Sequence, residues 1–259
     1  MQDAQATLLE GVIDLARRAG EVVMAVYATD FAVRGKEDAS PVTEADERAE
    51  RVIVPGLERL LPGVVVVAEE GVAARGAPTV GERFWLVDPL DGTREFVQRN
   101  GEFTVNIALV EGGVPVLGVV LAPALGRLYA GSLRGGAFVD DANGRRPIAC
   151  RAPSPAGLTV VASRSHADEA ALSAFLVGRE VASIARSGSS LKLCLVAAGE
   201  ADLYPRLGRT MEWDIAAGHA LVLAAGGVVC TLDGAPLRYG KPGFENPHFF
   251  AAGRSLVPL

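Results

Sequence analysis

Apolar positions recur at three- and four-residue spacing across residues 5–28, through Leu8, Val12, Leu15, Ala16, Ala19, Val23 and Tyr27, and predict a helix with one buried face. The spacing returns over Val52, Ile53, Leu57, Leu60 and Leu61, where Pro55-Gly56 predicts a kink or break. Thr43-Glu44-Ala45-Asp46 opens this second helix as a capping box. Between the helices, residues 34–42 (RGKEDASPV) are polar and read as a loop carrying Lys36. From residue 64 the period changes. Residues 64–68 (VVVVA), bounded by Pro62-Gly63, form a short buried strand that delivers Glu69-Glu70. Residues 72–82 read as a small-residue loop. A second apolar run, Trp85-Leu86-Val87, ends on Asp88-Pro89-Leu90-Asp91-Gly92-Thr93. Residues 103–110 and 114–121, joined by Glu111-Gly112-Gly113, predict a hairpin. Shorter runs at 127–131 and 136–139, with a turn at Asn143-Gly144, extend it into an antiparallel meander. This is not the alternating strand–helix order of a doubly wound sheet.

The Pro- and Gly-bearing stretch 150–157 (CRAPSPAG) marks a boundary, giving an α+β half at 1–152 and an α/β half at 153–259. In the second half, strands are expected at 158–163, 201–206, 228–232 and 249–252. Helices are expected at 167–176, around 191–198, and after Glu212-Trp213-Asp214, the last one closed by Gly226-Gly227.

Composition narrows the function classes. The 259 residues are 49% hydrophobic and 22% charged, an ordinary globular balance, with a net charge of −6. That acidity argues against a nucleic-acid polymer as partner. It leaves room for a small phosphorylated substrate, because metals held by clustered carboxylates invert the local sign. No apolar run reaches the roughly 18 residues of a membrane span. The N-terminus is acidic and amphipathic, without the basic and apolar regions of a signal peptide. Cys150, Cys194 and Cys230 are isolated and odd in number, fitting neither a disulfide framework nor a zinc site. Together these features predict a cytoplasmic protein.

The chemistry centres on Asp88 and Asp91. Pro89 fixes the backbone after the first and Gly92 permits a tight turn after the second. Two carboxylates with the Leu90 carbonyl between them make a hard oxygen site suited to Mg²⁺. If the segment from Gly92-Thr93 is helical, its free N–H groups can hold a phosphate. Read alone, D-x-x-D is also an ordinary surface turn, Glu69-Glu70 a solvated loop, and Asp214 a helix N-cap.

The string DPLDGT after an apolar strand, together with PVTEAD at 41–46 and WDIAAG at 213–218, resembles the signatures of the inositol monophosphatase superfamily. The extension DGTREFVQRNGEFTVNIAL resembles its bacterial 3′(2′),5′-bisphosphate nucleotidase branch, of the CysQ type; inositol monophosphatases themselves usually carry Asn in place of Glu95. The resemblance implies an αβαβα layered sandwich with a largely antiparallel first sheet and the site between the halves. It implies that Glu69, Asp88, the Leu90 carbonyl, Asp91 and Asp214 hold two or three Mg²⁺, and that Glu69 and Thr93, with Asp46 behind, align the attacking water. Asp91, Gly92, Thr93 and Asp214 then face the substrate. His166, Ser189, Lys192 and Arg206 are the candidates for a nucleotide pocket, with Ser190 as a substitute for Ser189. The implied activity is lithium-sensitive removal of the 3′-phosphate of 3′-phosphoadenosine 5′-phosphate, clearing a by-product of sulfate assimilation. The alternatives are an inositol-1-phosphate or fructose-1,6-bisphosphate phosphatase, and a non-catalytic sensor, against which no ligand acid is replaced. His166, His219 and His248 do not read as metal ligands. A monomer and a homodimer both fit.

Overall fold

The first half of the chain is held by alternation on a sheet that is apolar on both faces. The computed structural model describes residues 2–31, 33–35, 41–164 and 168–253, with backbone alone at 2–3, 33–35 and 41–43. Helix α1 (Gln2–Tyr27) is followed by a two-stranded ribbon, β1 (Val33–Gly35) and β2 (Pro41–Thr43), and by α2 (Glu44–Leu60). Then come β3 (Val65–Ala68), α3 (Glu69–Arg75), β4 (Arg83–Asp91), α4 (Thr93–Val97), β5 (Thr104–Glu111), β6 (Val114–Ala122), β7 (Arg127–Ser132), β8 (Gly136–Asp141) and β9 (Gly144–Ile148). The strands β3 to β9 lie side by side in chain order as one seven-stranded sheet. Only the β3–β4 pair is parallel.

Along β4, Trp85 and Val87 face the core under α1 and α2, while Phe84 and Leu86 face the opposite core. β5 and β6 split the same way, Ile107 and Val119 to one side and Ala108 and Val120 to the other. A sheet covered on both faces wants apolar residues at every position, which is why these strands read as unbroken runs.

The second half supplies β10 (Leu158–Ser163), α5 (Glu169–Leu176), β11 (Val181–Ser187), α6 (Leu191–Ala197), β12 (Leu203–Arg206), α7 (Glu212–Ala224), β13 (Gly227–Thr231) and β14 (Phe249–Gly253). Its strands form a five-stranded sheet ordered β11-β10-β12-β14-β13. α7 lies against both sheets, buried almost all round, as a helix between two layers must be. A Cβ on Gly118 of β6 would lie 2.3 Å from the Ala217 carbonyl oxygen, so a glycine is what lets α7 reach the sheet. On the far face of the second sheet, Phe175 and Leu176 of α5 pack with Val160, Leu203 and Phe250. The layers therefore run helix, sheet, helix, sheet, helix, as the resemblance implies.

Four local expectations are corrected. α2 runs through Pro55-Gly56 without a break. A proline forfeits only one helical hydrogen bond, and Gly56 lets Leu15 of α1 pack close, since a Cβ there would lie 2.2 Å from its Cδ2. The residues flanking 36–40 pair as a ribbon rather than a loop. Part of the expected loop at 72–82 is helix α3, which starts at Glu69. β11 has no counterpart among the expected strands. It is an edge strand with mostly exposed residues (VASIARS), so it carries no apolar run to signal it.

Candidate metal and substrate site

Asp88 and Asp91 lie three apart on β4, and side chains three apart on a regular strand point to opposite faces. The register shows how they come to share one cavity. Asp88 pairs with Asn106 and Asp91 with Thr104, so β4 takes three steps where β5 takes two. The extra residue is a bulge, which shifts the alternation by one. Pro89, with no N–H to place in the ladder, sits inside it. The Leu90 N–H donates to Asp88 Oδ1 at 3.0 Å and closes the turn. Gly92 follows at φ 86°, and a Cβ there would lie 3.1 Å from that of Ser189. The expected helix after it is α4, of five residues. Thr93 Oγ1 donates to the Leu90 carbonyl at 3.4 Å.

β3, parallel to β4, brings Glu69 alongside. α3 starts there, and its first N–H groups are capped from α2: Glu50 Oε2 accepts from Glu70 N at 3.0 Å and Gly71 N at 3.3 Å. Burial raises the Glu50 carboxyl above its ordinary range despite those bonds. Asp214 comes from the other half. It sits in the first turn of α7 rather than at its N-cap, which is Met211, and its Oδ2 accepts from Met211 N at 2.9 Å.

One carboxylate oxygen each from Glu69, Asp88 and Asp214 lie within 4.8 Å of one another. Burial first, then the charges of Glu69, Asp91, Asp214 and Asp46, push Asp88 well above the usual carboxylate range. Burial, then Asp91 and Glu69, do the same to Asp214. Asp46 is buried on the first turn of α2, near enough for its charge to reach Asp88. Asp91 stands beside the triad, not in it. Its Oδ2 accepts from Ser190 N at 2.6 Å and Asn106 Nδ2 at 3.3 Å.

All four acids line a cavity of about 340 Å³ shared with Leu90, Gly92, Thr93, Ser189, Lys192 and Arg206. Lys192 is 4% exposed, where a solvated helix residue would be open to water. Its Nζ donates to the Ser187 carbonyl at 3.3 Å and the Ser189 carbonyl at 2.5 Å, over the ring of Tyr204. Burial, with the charge of Arg206, lowers its pKa to about 8. Arg206 Nη2 donates to the Arg209 carbonyl at 2.7 Å. Ser189 Oγ, Arg206 Nε and Thr210 Oγ1 are buried with no hydrogen-bond partner, and all three residues border this cavity. Ser190 is tied to Asp91 and Asp214 at the start of α6.

The sequence model of the inositol monophosphatase family matches residues 4–254. The chain belongs to the inositol monophosphatase family. It is similar to the 3′(2′),5′-bisphosphate nucleotidase CysQ of Salmonella typhimurium (strain LT2), 47% identical over 245 residues, 93% of this chain and 98% of that one. The CysQ of Escherichia coli (strain K12) matches at the same identity and coverage. The crystal structure of CysQ from Bacteroides thetaiotaomicron superposes with a TM-score of 0.80 at 38% identity, covering 95% of this chain and 97% of that one. An inositol monophosphatase structure from Anabaena superposes at 0.77 and 29% identity, covering 97% and 92%.

Members of the inositol monophosphatase family are metal-dependent, and the acids present fit a metal. The converging carboxylates of Glu69, Asp88 and Asp214 offer hard oxygen donors, those of Asp88 and Asp214 pushed up by burial and by neighbouring acids, and a hard divalent cation suits that set. The two described histidines stand apart. His219 is buried, with Nδ1 2.8 Å from the Tyr239 hydroxyl, and burial lowers its pKa to about 3. His248 is exposed. His166, the side chain of Thr43 and Lys36 lie outside the described residues.

Sequence reasoning missed Asn106 and Glu50. Asn106 had a signal, as the one polar residue between Thr104 and Glu111 at the two ends of an otherwise apolar strand. Glu50 had none, because its partners are backbone N–H groups about twenty residues away.

Proposed function

We propose that the protein is a Mg²⁺-dependent, lithium-sensitive phosphatase that removes the 3′-phosphate of 3′-phosphoadenosine 5′-phosphate to give AMP and phosphate. The observation that carries this reading is a cavity lined by the converging carboxylates of Glu69, Asp88 and Asp214, with Asp91 beside them, and by the buried Lys192 and by Arg206. Glu69, Asp88, the Leu90 carbonyl, Asp91 and Asp214 are the groups that would hold two or three Mg²⁺. When bound, these ions supply Lewis-acid charge stabilisation and make water a nucleophile near neutral pH. Glu69 and Thr93, with Asp46 behind them, align that water. Attack is in line at phosphorus, and no side chain of the chain is phosphorylated. Lys192 offers a point charge and Arg206 a planar fork to a second phosphate, with Ser189 beside them. A nucleotide carrying 3′- and 5′-phosphates uses both sets of groups; inositol 1-phosphate uses one. The similar nucleotidases support the same choice. The unpaired cysteines fit a reducing compartment such as the cytoplasm.

The test is phosphate release with Mg²⁺ from 3′-phosphoadenosine 5′-phosphate, inositol 1-phosphate and fructose 1,6-bisphosphate, each with and without lithium. A kcat/KM for the nucleotide about 100-fold above the others, or ~2.7 kcal/mol of differential transition-state binding, is the expected result. Equal rates on all three would overturn the pocket assignment. No release from any would overturn the phosphatase reading.

A further inference from the structure

We propose that Asn106 is a positioning residue: it sets the carboxylate of Asp91 and ties cation binding at that carboxylate to the seating of α6 and α7. The proposal rests on the reading of the four acids as Mg²⁺ ligands. Asn106 is fully buried on β5, directly across from Asp88. Its Nδ2 lies 3.3 Å from Asp91 Oδ2, 3.0 Å from Ser190 Oγ and 3.2 Å from the Asp214 carbonyl oxygen. Two of those neighbours, a carboxylate and a carbonyl, can only accept, so the NH₂ end of the amide must face them. One side chain of the first sheet therefore joins the exit of β4, the start of α6 and the first turn of α7.

Asp91 Oδ2 takes two donors, Asn106 Nδ2 and Ser190 N. These hold the carboxylate in one orientation, leaving Oδ1 uncommitted. Ser190, which binds Asn106, Asp91 and Asp214 together, opens the helix that carries Lys192. A change at Asn106 should thus be felt at the Asp91 carboxylate and, through Ser190, at the lysine. The opposite end of the amide, Oδ1, is buried without a partner. An apolar side chain would avoid that penalty, so the residue contributes through its donor end. Hydrogen-bond partners of metal-ligating carboxylates typically change metal affinity or activity by roughly 10–100-fold when removed.

Two variants test this. Asn106→Leu keeps similar volume and removes the donors; Asn106→Ser keeps one hydroxyl donor. Mg²⁺ and Mn²⁺ binding to chelator-stripped full-length protein is measured by calorimetry, with thermal unfolding of the same samples as the check on folding. The expected result is folded protein with Mg²⁺ affinity about 10–100-fold weaker in Asn106→Leu and a smaller loss in Asn106→Ser. A higher Mg²⁺ requirement for turnover should accompany it. If Asn106→Leu does not fold, Asn106→Ser carries the test alone. Wild-type Mg²⁺ affinity in either folded variant would overturn the proposal and leave a merely structural amide. A wild-type protein that takes up no metal would instead overturn the ligand reading, a different failure seen in the same experiment.

Discussion

The acidic and basic walls of the cavity are both buried, and each leans away from its charged form in the opposite direction. Asp88 and Asp214 are pushed up by burial and by their neighbours' charges; Lys192 is pushed down to about 8 by burial and by Arg206. They are solvated differently. The lysine has two carbonyl oxygens and the face of Tyr204 around it. Asp88 and Asp214 are each given one backbone N–H and lie among other acids, with the charge of Arg206 also reaching Asp214. The two walls do not neutralise each other, although Asp91 and Lys192 feel one another's charge. A cation would favour the charged forms of Asp88 and Asp214, and an anion that of Lys192. A metal phosphate complex supplies both. Gathering these groups costs stability, and the cost is concentrated on the acidic side.

Breaking the acidic wall has the largest expected effect. Asp91→Asn keeps the acceptor for Ser190 and Asn106 and removes one negative charge, and should lower Mg²⁺-dependent phosphate release by more than ~100-fold. Breaking the basic wall should do less and act on substrate choice. Lys192→Met or Arg206→Ala should raise KM for the nucleotide bisphosphate by roughly 10–100-fold, the worth of a hydrogen bond to a charged group. Inositol 1-phosphate hydrolysis should change far less. Equal loss on both substrates would contradict the division of labour. Because the Lys192 pKa lies near 8, KM for the bisphosphate should also rise above about pH 8, and Lys192→Met should remove that rise.

His219, outside the cavity, is a buried ionisable group whose partner, Tyr239, lies inside the protein. Its folded pKa of about 3 lies below the unfolded value of 6.5. Its contribution to stability is therefore complete above about pH 6.5 and is lost as pH falls toward 3, at up to about 1.4 kcal/mol per pH unit. His219→Gln should flatten that slope in urea unfolding followed across pH, and leave the Mg²⁺ response unchanged. The smallest effect is expected at Glu50. Glu50→Ala uncaps α3 and should cost about 0.5–2 kcal/mol, with Glu50→Gln largely restoring it through its remaining oxygen.

The acidic wall was more legible in the chain than the basic one. Asp88 and Asp91 announce themselves because a strand, a proline and a glycine lie within six residues, whereas the bulge that brings them to one face shows only in the pairing with β5. Asp214 is legible only through WDIAAG, since its place beside Glu69 depends on α7 lying between two sheets. That Lys192 is buried rather than solvated depends on the Ser187 and Ser189 carbonyls, which no spacing predicts. The expected break at Pro55 and the unseen strand β11 share one origin. Local propensity and hydrophobic period are weak where tertiary packing decides, as at Gly56 against Leu15, or where an edge strand is open to solvent.

If the carboxylates are held together against repulsion that a divalent cation relieves, thermal unfolding of chelator-stripped wild type and Asp91→Asn, each titrated with Mg²⁺, will show it. Mg²⁺ at 100 times its Kd should stabilise the wild type by about 2.7 kcal/mol, a rise of roughly 5–10 °C in Tm. Asp91→Asn without metal should unfold at or above the wild-type Tm and gain little from Mg²⁺. A wild-type Tm indifferent to Mg²⁺, or a metal-free Asp91→Asn well below the wild type, would show that no such repulsion is relieved.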